Sequence, residues 1–169
     1  HSLDSVFFRY PIPFGLLGKV LFRTPDLIPV IASGLFRKHV HAERDFRRGD
    51  GKASRPPAMI TLRITNACNH RCAICGQYGW HGYLTSDTAR DRLRVLPLER
   101  YIQLLDEVAE HKPVINITGG EPFLYPGLME LARYAKNKGL TLFVTTNGVR
   151  LRESAEQIVA DKWDVVLTS

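Results

Sequence analysis

The chain has 169 residues, 44% of them hydrophobic and 24% charged, and carries a formal net charge of +6. This composition excludes a low-complexity or disordered polypeptide and supplies material for one sizeable core, while no run approaches the roughly 20 apolar residues of a membrane span. Three cysteines are an odd number for disulfides and one short of a closed structural zinc site.

The sequence begins with His1 rather than Met and stops at the strand-like DVVLTS, so both ends read as those of a fragment. The first 36 residues, including PIPFGLLGKVLF and LIPVIASGLF, are apolar with scattered Pro and Gly. Short helices packed on the main domain are expected there; an amphipathic surface against a membrane or partner is the alternative. Residues 1 to 57 hold ten Lys/Arg against five Asp/Glu, and seven of those cations fall between Arg37 and Arg55. Such a run can meet phosphates of nucleic acid or a membrane surface, but no nucleic-acid motif accompanies it, and a solvated linker is the expected reading. GDGKASRPP closes this arm, giving expected domains of 1–57 and 58–169.

From Met59 the pattern becomes regular. MITLRIT alternates as a strand should and runs straight into the cysteines. A polar loop from Gly76 to Leu96 follows. PLERYIQLLDEVAEH places Leu98, Tyr101, Ile102, Leu105 and Val108 on one helical face. VINIT is a second strand, and PGLMELARYAKNKG a second helix with Leu128, Leu131, Ala132 and Ala135 in register and Gly139 as its stop. LTLFVTT, ESAEQIVADK and DVVLT complete the series as strand, helix and strand. This alternation with short connections predicts βαβ units and a parallel sheet, whose reactive groups gather at the carboxyl ends of the strands. Four features fall there: the cysteine loop, GGEP at 119–122, TNG at 146–148 and Ser169.

The cysteines are spaced Cys68-x3-Cys72-x2-Cys75. Three thiolates from one loop can hold three irons of a cubane cluster and leave the fourth iron open to a chelating small molecule. With CxxxCxxC after the first strand and GGEP after the second, residues 59 to 169 resemble the radical S-adenosylmethionine (radical SAM) superfamily. The resemblance implies a partial β/α (TIM-like) barrel, here ending after about the fourth strand, preceded by a mostly helical arm. It implies that Cys68, Cys72 and Cys75 ligate a 4Fe-4S cluster and that S-adenosylmethionine chelates the unique iron. Gly119, Gly120, Glu121 and Pro122 resemble the segment receiving the methionyl amine: glycines let backbone approach the ligand, and Glu121 offers a negative charge to the ammonium. Ile74 stands where an aromatic residue near adenine is common in the family. Asn147 and Ser169 match positions near nucleoside or substrate, although Asn-Gly is also ordinary turn chemistry.

The activity implied is reductive cleavage of S-adenosylmethionine to a 5′-deoxyadenosyl radical that removes a hydrogen atom from a substrate. A flavodoxin- or ferredoxin-like electron donor and a reduced, cytoplasmic setting are implied with it. The substrate is open among a peptide or protein, a small metabolite or cofactor precursor, and an RNA base. Two alternatives stand beside this reading: a zinc site completed by His70 or His81, and a non-catalytic scaffold keeping the cluster loop as a staple. Trp80, His81 and Tyr83 either line a substrate mouth or cover the cluster, the cover being preferred.

Overall fold

The computed structural model describes residues 28, 29, 32, 41, 43–84 and 95–168. The helices expected among the first 36 residues, much of the loop up to Leu96, and Ser169 therefore lie largely or wholly outside the described residues. The chain divides between Ser54 and Arg55, inside the GDGKASRPP stretch. In the first unit the basic run contains a short helix, α1 (Glu43–Arg48), with no buried residue. Two of its three cations are partnered by neighbouring acids: Arg47 by Glu43, and Arg48 by Asp45 and Asp50. Exposed pairs of this kind add little stability.

The second unit is the expected α/β structure. Its strands are β1 (Met59–Thr65), β2 (Val114–Gly119), β3 (Thr141–Thr146) and β4 (Val165–Thr168). All neighbours pair in parallel, in the order β1-β2-β3-β4. Helices α2 (Leu98–Val108), α3 (Leu128–Asn137) and α4 (Leu151–Ala160) connect them. One row of side chains crosses the whole sheet, Leu62 beside Ile117, Val144 and Val166. The first three of these are buried. Leu105, Leu131, Ala132 and Ala135, from the apolar stripes of α2 and α3, join them in one core. That is the packing an amphipathic helix needs against a sheet face.

The next row, Thr61, Asn116, Phe143 and Val165, points to the opposite face. Arg63 lies on that face also, beside Thr118. At the end of β1 the register shifts between Arg63 and Thr65, so that both Ile64 and Thr65 are buried and the chain is turned into the cysteine loop. Helix α4 starts two residues earlier than ESAEQIVADK suggests and buries no residue. The charged residues Glu99, Asp106, Glu107, Glu110 and Lys112 are exposed.

Candidate functional site

The cysteine loop leaves β1 through Asn66 and Ala67. All three thiols are free, Cys72 exposed and Cys68 and Cys75 half-buried. Backbone amides are directed at two of the sulfurs: His70 N–H donates to Cys68 Sγ and Gln77 N–H to Cys75 Sγ, each at 3.4 Å. The amides of Tyr78 and Gln77 hold the Cys75 thiol below the ordinary thiol range, with smaller help from Gly79 N–H and the Arg63 cation and against the opposing effect of burial. Amides of this kind favour the thiolate, the form that binds metal. Arg71 braces the loop from within, donating to the carbonyls of Cys68 and His70 and lying 4.3 Å from the centre of the Tyr78 ring.

The glycines of GGEP touch this loop through their backbone. Gly120 N–H donates to the Thr65 carbonyl and Glu121 N–H to that of Ala67, both at 2.8 Å. A Cβ on Gly120 would stand 2.7 Å from the Asn66 carbonyl oxygen and closer still to that of Ala67, so no side chain fits between the two segments. This close approach is the use of glycine anticipated from the sequence, turned toward the protein's own backbone.

Glu121 is 1% exposed. One carboxylate oxygen accepts from the Thr146 hydroxyl at 2.6 Å and from Phe123 N–H at 3.1 Å; the other accepts from Asn147 N–H at 2.7 Å. Asn147 makes an Asx turn, its side-chain oxygen accepting from Val149 N–H, while its amide nitrogen donates to Asn69 Oδ1 at 2.7 Å. Gly148 follows with φ +82°, a turn conformation that favours glycine. Loops after β1, β2 and β3 are thus joined by direct hydrogen bonds.

The structure therefore brings together Cys68, Cys72, Cys75, Gly119, Gly120, Glu121, Pro122 and Asn147 at one edge of the sheet. Ile74 is 97% exposed. Ser169 lies outside the described residues. His70 and His81 are both exposed. Among the described residues of the loop after Cys75, Gln77 and Leu84 have buried side chains, while Trp80 is 83% exposed.

Sequence reasoning missed Asn69, Arg63 and Gln77, and the partners of two residues it had named, Thr146 of TNG and Tyr83. Arg63 donates to the Tyr83 hydroxyl, and the Gln77 carboxamide oxygen, turned toward the guanidinium, accepts from it at 3.2 Å. A signal for Thr146 was present: it falls in alternation with buried Leu142 and Val144, and a hydroxyl at a buried position needs a partner.

Among the described residues no three His, Cys, Asp or Glu side chains are grouped closely enough to hold one metal ion. A zinc site needs that convergence, whereas thiolates of a cubane cluster each take a different iron. Free thiols on one loop, with amides aimed at the sulfurs of Cys68 and Cys75, suit thiolate ligation of a metal group.

The family model described as the Radical SAM superfamily matches residues 62–168. The chain belongs to the radical SAM superfamily. The cofactors of that family are a 4Fe-4S cluster and S-adenosylmethionine. Among curated proteins the chain is similar to a probable GTP 3′,8-cyclase of Thermococcus kodakarensis, 30% identical over 68% of this chain and 35% of that protein. It is also similar to the GTP 3′,8-cyclase of Chlorobaculum tepidum, 36% identical over 59% of this chain and 28% of that protein. An AdoMet-dependent heme synthase of Methanosarcina barkeri is 34% identical over 56% of this chain and 25% of that protein. The chain thus spans about a third or less of the length of these relatives. No helix among the described residues is long and apolar enough to cross a membrane.

Proposed function

We propose that this chain is the cofactor-binding part of a radical SAM enzyme, with Cys68, Cys72 and Cys75 holding the 4Fe-4S cluster and the backbone of Gly119 to Pro122 receiving the methionyl end of S-adenosylmethionine. The observation that carries the reading is the close backbone seam between the GGEP segment and the loop bearing three free thiols. When bound, the reduced cluster and cofactor would supply hydrogen-atom abstraction chemistry, through one-electron cleavage of the sulfonium to methionine and a 5′-deoxyadenosyl radical.

The chain's own residues perform the preparatory work. Amides at Cys68 and Cys75 favour thiolates and lower the cost of loading metal. Gly120, lacking a side chain, leaves the seam tight. Ile74, Asn147 and Ser169 are proposed to border the nucleoside, with the exposed side chain of Ile74 supplying an apolar wall. A flavodoxin- or ferredoxin-like donor in a cytoplasmic, reducing setting is proposed to supply the electron. The relatives' names refer to GTP and heme, which favours a small metabolite over a peptide or protein as substrate. The pairing of Arg47 and Arg48 with acids of the same stretch favours a solvated basic arm over one that grips nucleic acid or membrane.

The test is anaerobic reconstitution of the full-length protein. It is expected to carry about four irons per cysteine triad, to lose them on Cys68→Ala, Cys72→Ala or Cys75→Ala, and to form 5′-deoxyadenosine with dithionite and cofactor. Stoichiometric zinc without iron would overturn the reading. An intact cluster that never cleaves cofactor would favour the scaffold.

A further inference from the structure

The sequence suggests that Glu121 lends its charge directly to the cofactor's ammonium, and the structure points elsewhere. At 1% exposure the carboxylate has no open face. Its oxygens already accept three hydrogen bonds, from Phe123 N–H, the Thr146 hydroxyl and Asn147 N–H, and each donor belongs to the rim of the sheet. To reach a ligand, the side chain would have to abandon donors that are themselves buried or half-buried, at the cost of leaving them unsatisfied. The same residue's backbone N–H is bonded to Ala67, in the approach to the cluster loop. Asn147, held at its backbone by Glu121, reaches Asn69 between the first two cysteines with its side chain.

We infer that Glu121 is a positioning residue whose buried carboxylate clamps the end of β3 to the loop after β2, with Asn147 carrying that clamp on to the cluster loop. The methionyl end of the cofactor then meets backbone of the GGEP segment, and Glu121 determines where that backbone stands. This rests on the assignment of GGEP to the cofactor. Thr146 is the informative partner, because removing its hydroxyl leaves the Glu121 charge in place and disturbs only the clamp.

In cluster-loaded, full-length protein, the dissociation constant for S-adenosylmethionine is measured by titrating its change of the reduced cluster's electron paramagnetic resonance spectrum. Glu121→Gln and Thr146→Val are each expected to weaken binding by about tenfold or more per loaded cluster, as loss of a charge-assisted hydrogen bond implies. Thr146→Ser is expected to stay within about twofold of the unaltered protein, and the Glu121→Gln/Thr146→Val double variant to match Glu121→Gln alone, because the two act through one unit. Loss of general stability alone would lower the yield of loaded protein without moving this constant. Normal binding by Thr146→Val beside a defect in Glu121→Gln would show direct contact with the cofactor and overturn the proposal, as would normal binding by both. If Glu121→Gln fails to fold, the near-isosteric Thr146→Val and its serine rescue decide the matter. Failure of unaltered, cluster-loaded protein to respond to cofactor at all would instead remove the assignment of GGEP.

Discussion

The two sides of this sheet are built from different materials. On the helix-covered face, Leu105, Ile115, Ile117, Leu131 and Leu142 are wholly enclosed, and the edge-on rings of Tyr101 and Tyr125, 6.0 Å apart, close one end of the core. At the carboxyl rim the contacts are backbone amides, a buried carboxylate and half-exposed thiols, with Ile74 and Trp80 standing in solvent. Apolar burial is roughly proportional to area and tolerant of small shifts, whereas the rim depends on hydrogen bonds that fail over fractions of an ångström. Core packing and the proposed cofactor site therefore draw on separate sets of residues.

The separation is most sharply challenged at Gly120, where a single methyl group invades the rim. A Cβ there meets two backbone carbonyls, those of Ala67 and Asn66, neither of which can turn aside as a flexible side chain would. The two segments must part, breaking the bonds from Gly120 and Glu121 to Thr65 and Ala67. Gly120→Ala is expected to lower formation of 5′-deoxyadenosine per loaded cluster by about a hundredfold, as misplacement near 1 Å commonly does. Iron content should stay near normal, since no thiol is touched. Unchanged turnover would break the comparison at its strongest point.

Leu105→Ala attacks the other side. Leu105 is fully enclosed, and truncation should cost about 2 to 5 kcal/mol of unfolding free energy. Chemical denaturation measures that loss, while iron bound per folded molecule is expected to be unchanged. A parallel fall in iron stoichiometry would mean that core and rim are coupled.

The same division explains what the sequence reveals. Strand alternation and the helical stripe of Leu128, Leu131, Ala132 and Ala135 are direct imprints of burial, and all four of these residues are buried as expected. The cysteine spacing and GGEP announce themselves because few other sites need those residues together. Hidden from a linear reading were contacts between distant segments: Asn69 with Asn147 and Glu121 with Thr146 are ordinary polar residues until the fold joins them. Glu121 in particular is a charged residue in a cofactor motif, and only the burial of its carboxylate shows that its partners are the protein's own donors. In the loop after Cys75 the aromatic residues attract notice in a linear reading, while Gln77 and Leu84 are buried among its described residues.

The smallest expected effect lies at Cys75, and it sharpens the claim that the rim is organised before any metal arrives. Amides of Tyr78 and Gln77 lower the thiol's pKa, and Arg63 contributes least of the named causes. Because the folded value lies below the unfolded one, the associated stabilisation is fully present above the unfolded thiol's pKa and is lost as pH falls through the folded value. The thiolate is the reactive form, so in metal-free, full-length protein the rate of Cys75 alkylation by iodoacetamide should rise at a lower pH than in the same protein unfolded in urea. Site-resolved mass spectrometry follows the rate against pH in both states. Arg63→Gln should recover only a minor part of the difference, since the amides remain. Coincident profiles in folded and unfolded protein would mean that the loop takes its shape only with the cluster bound, and the amide-lined arrangement around Cys75 would then be a consequence of loading rather than its preparation.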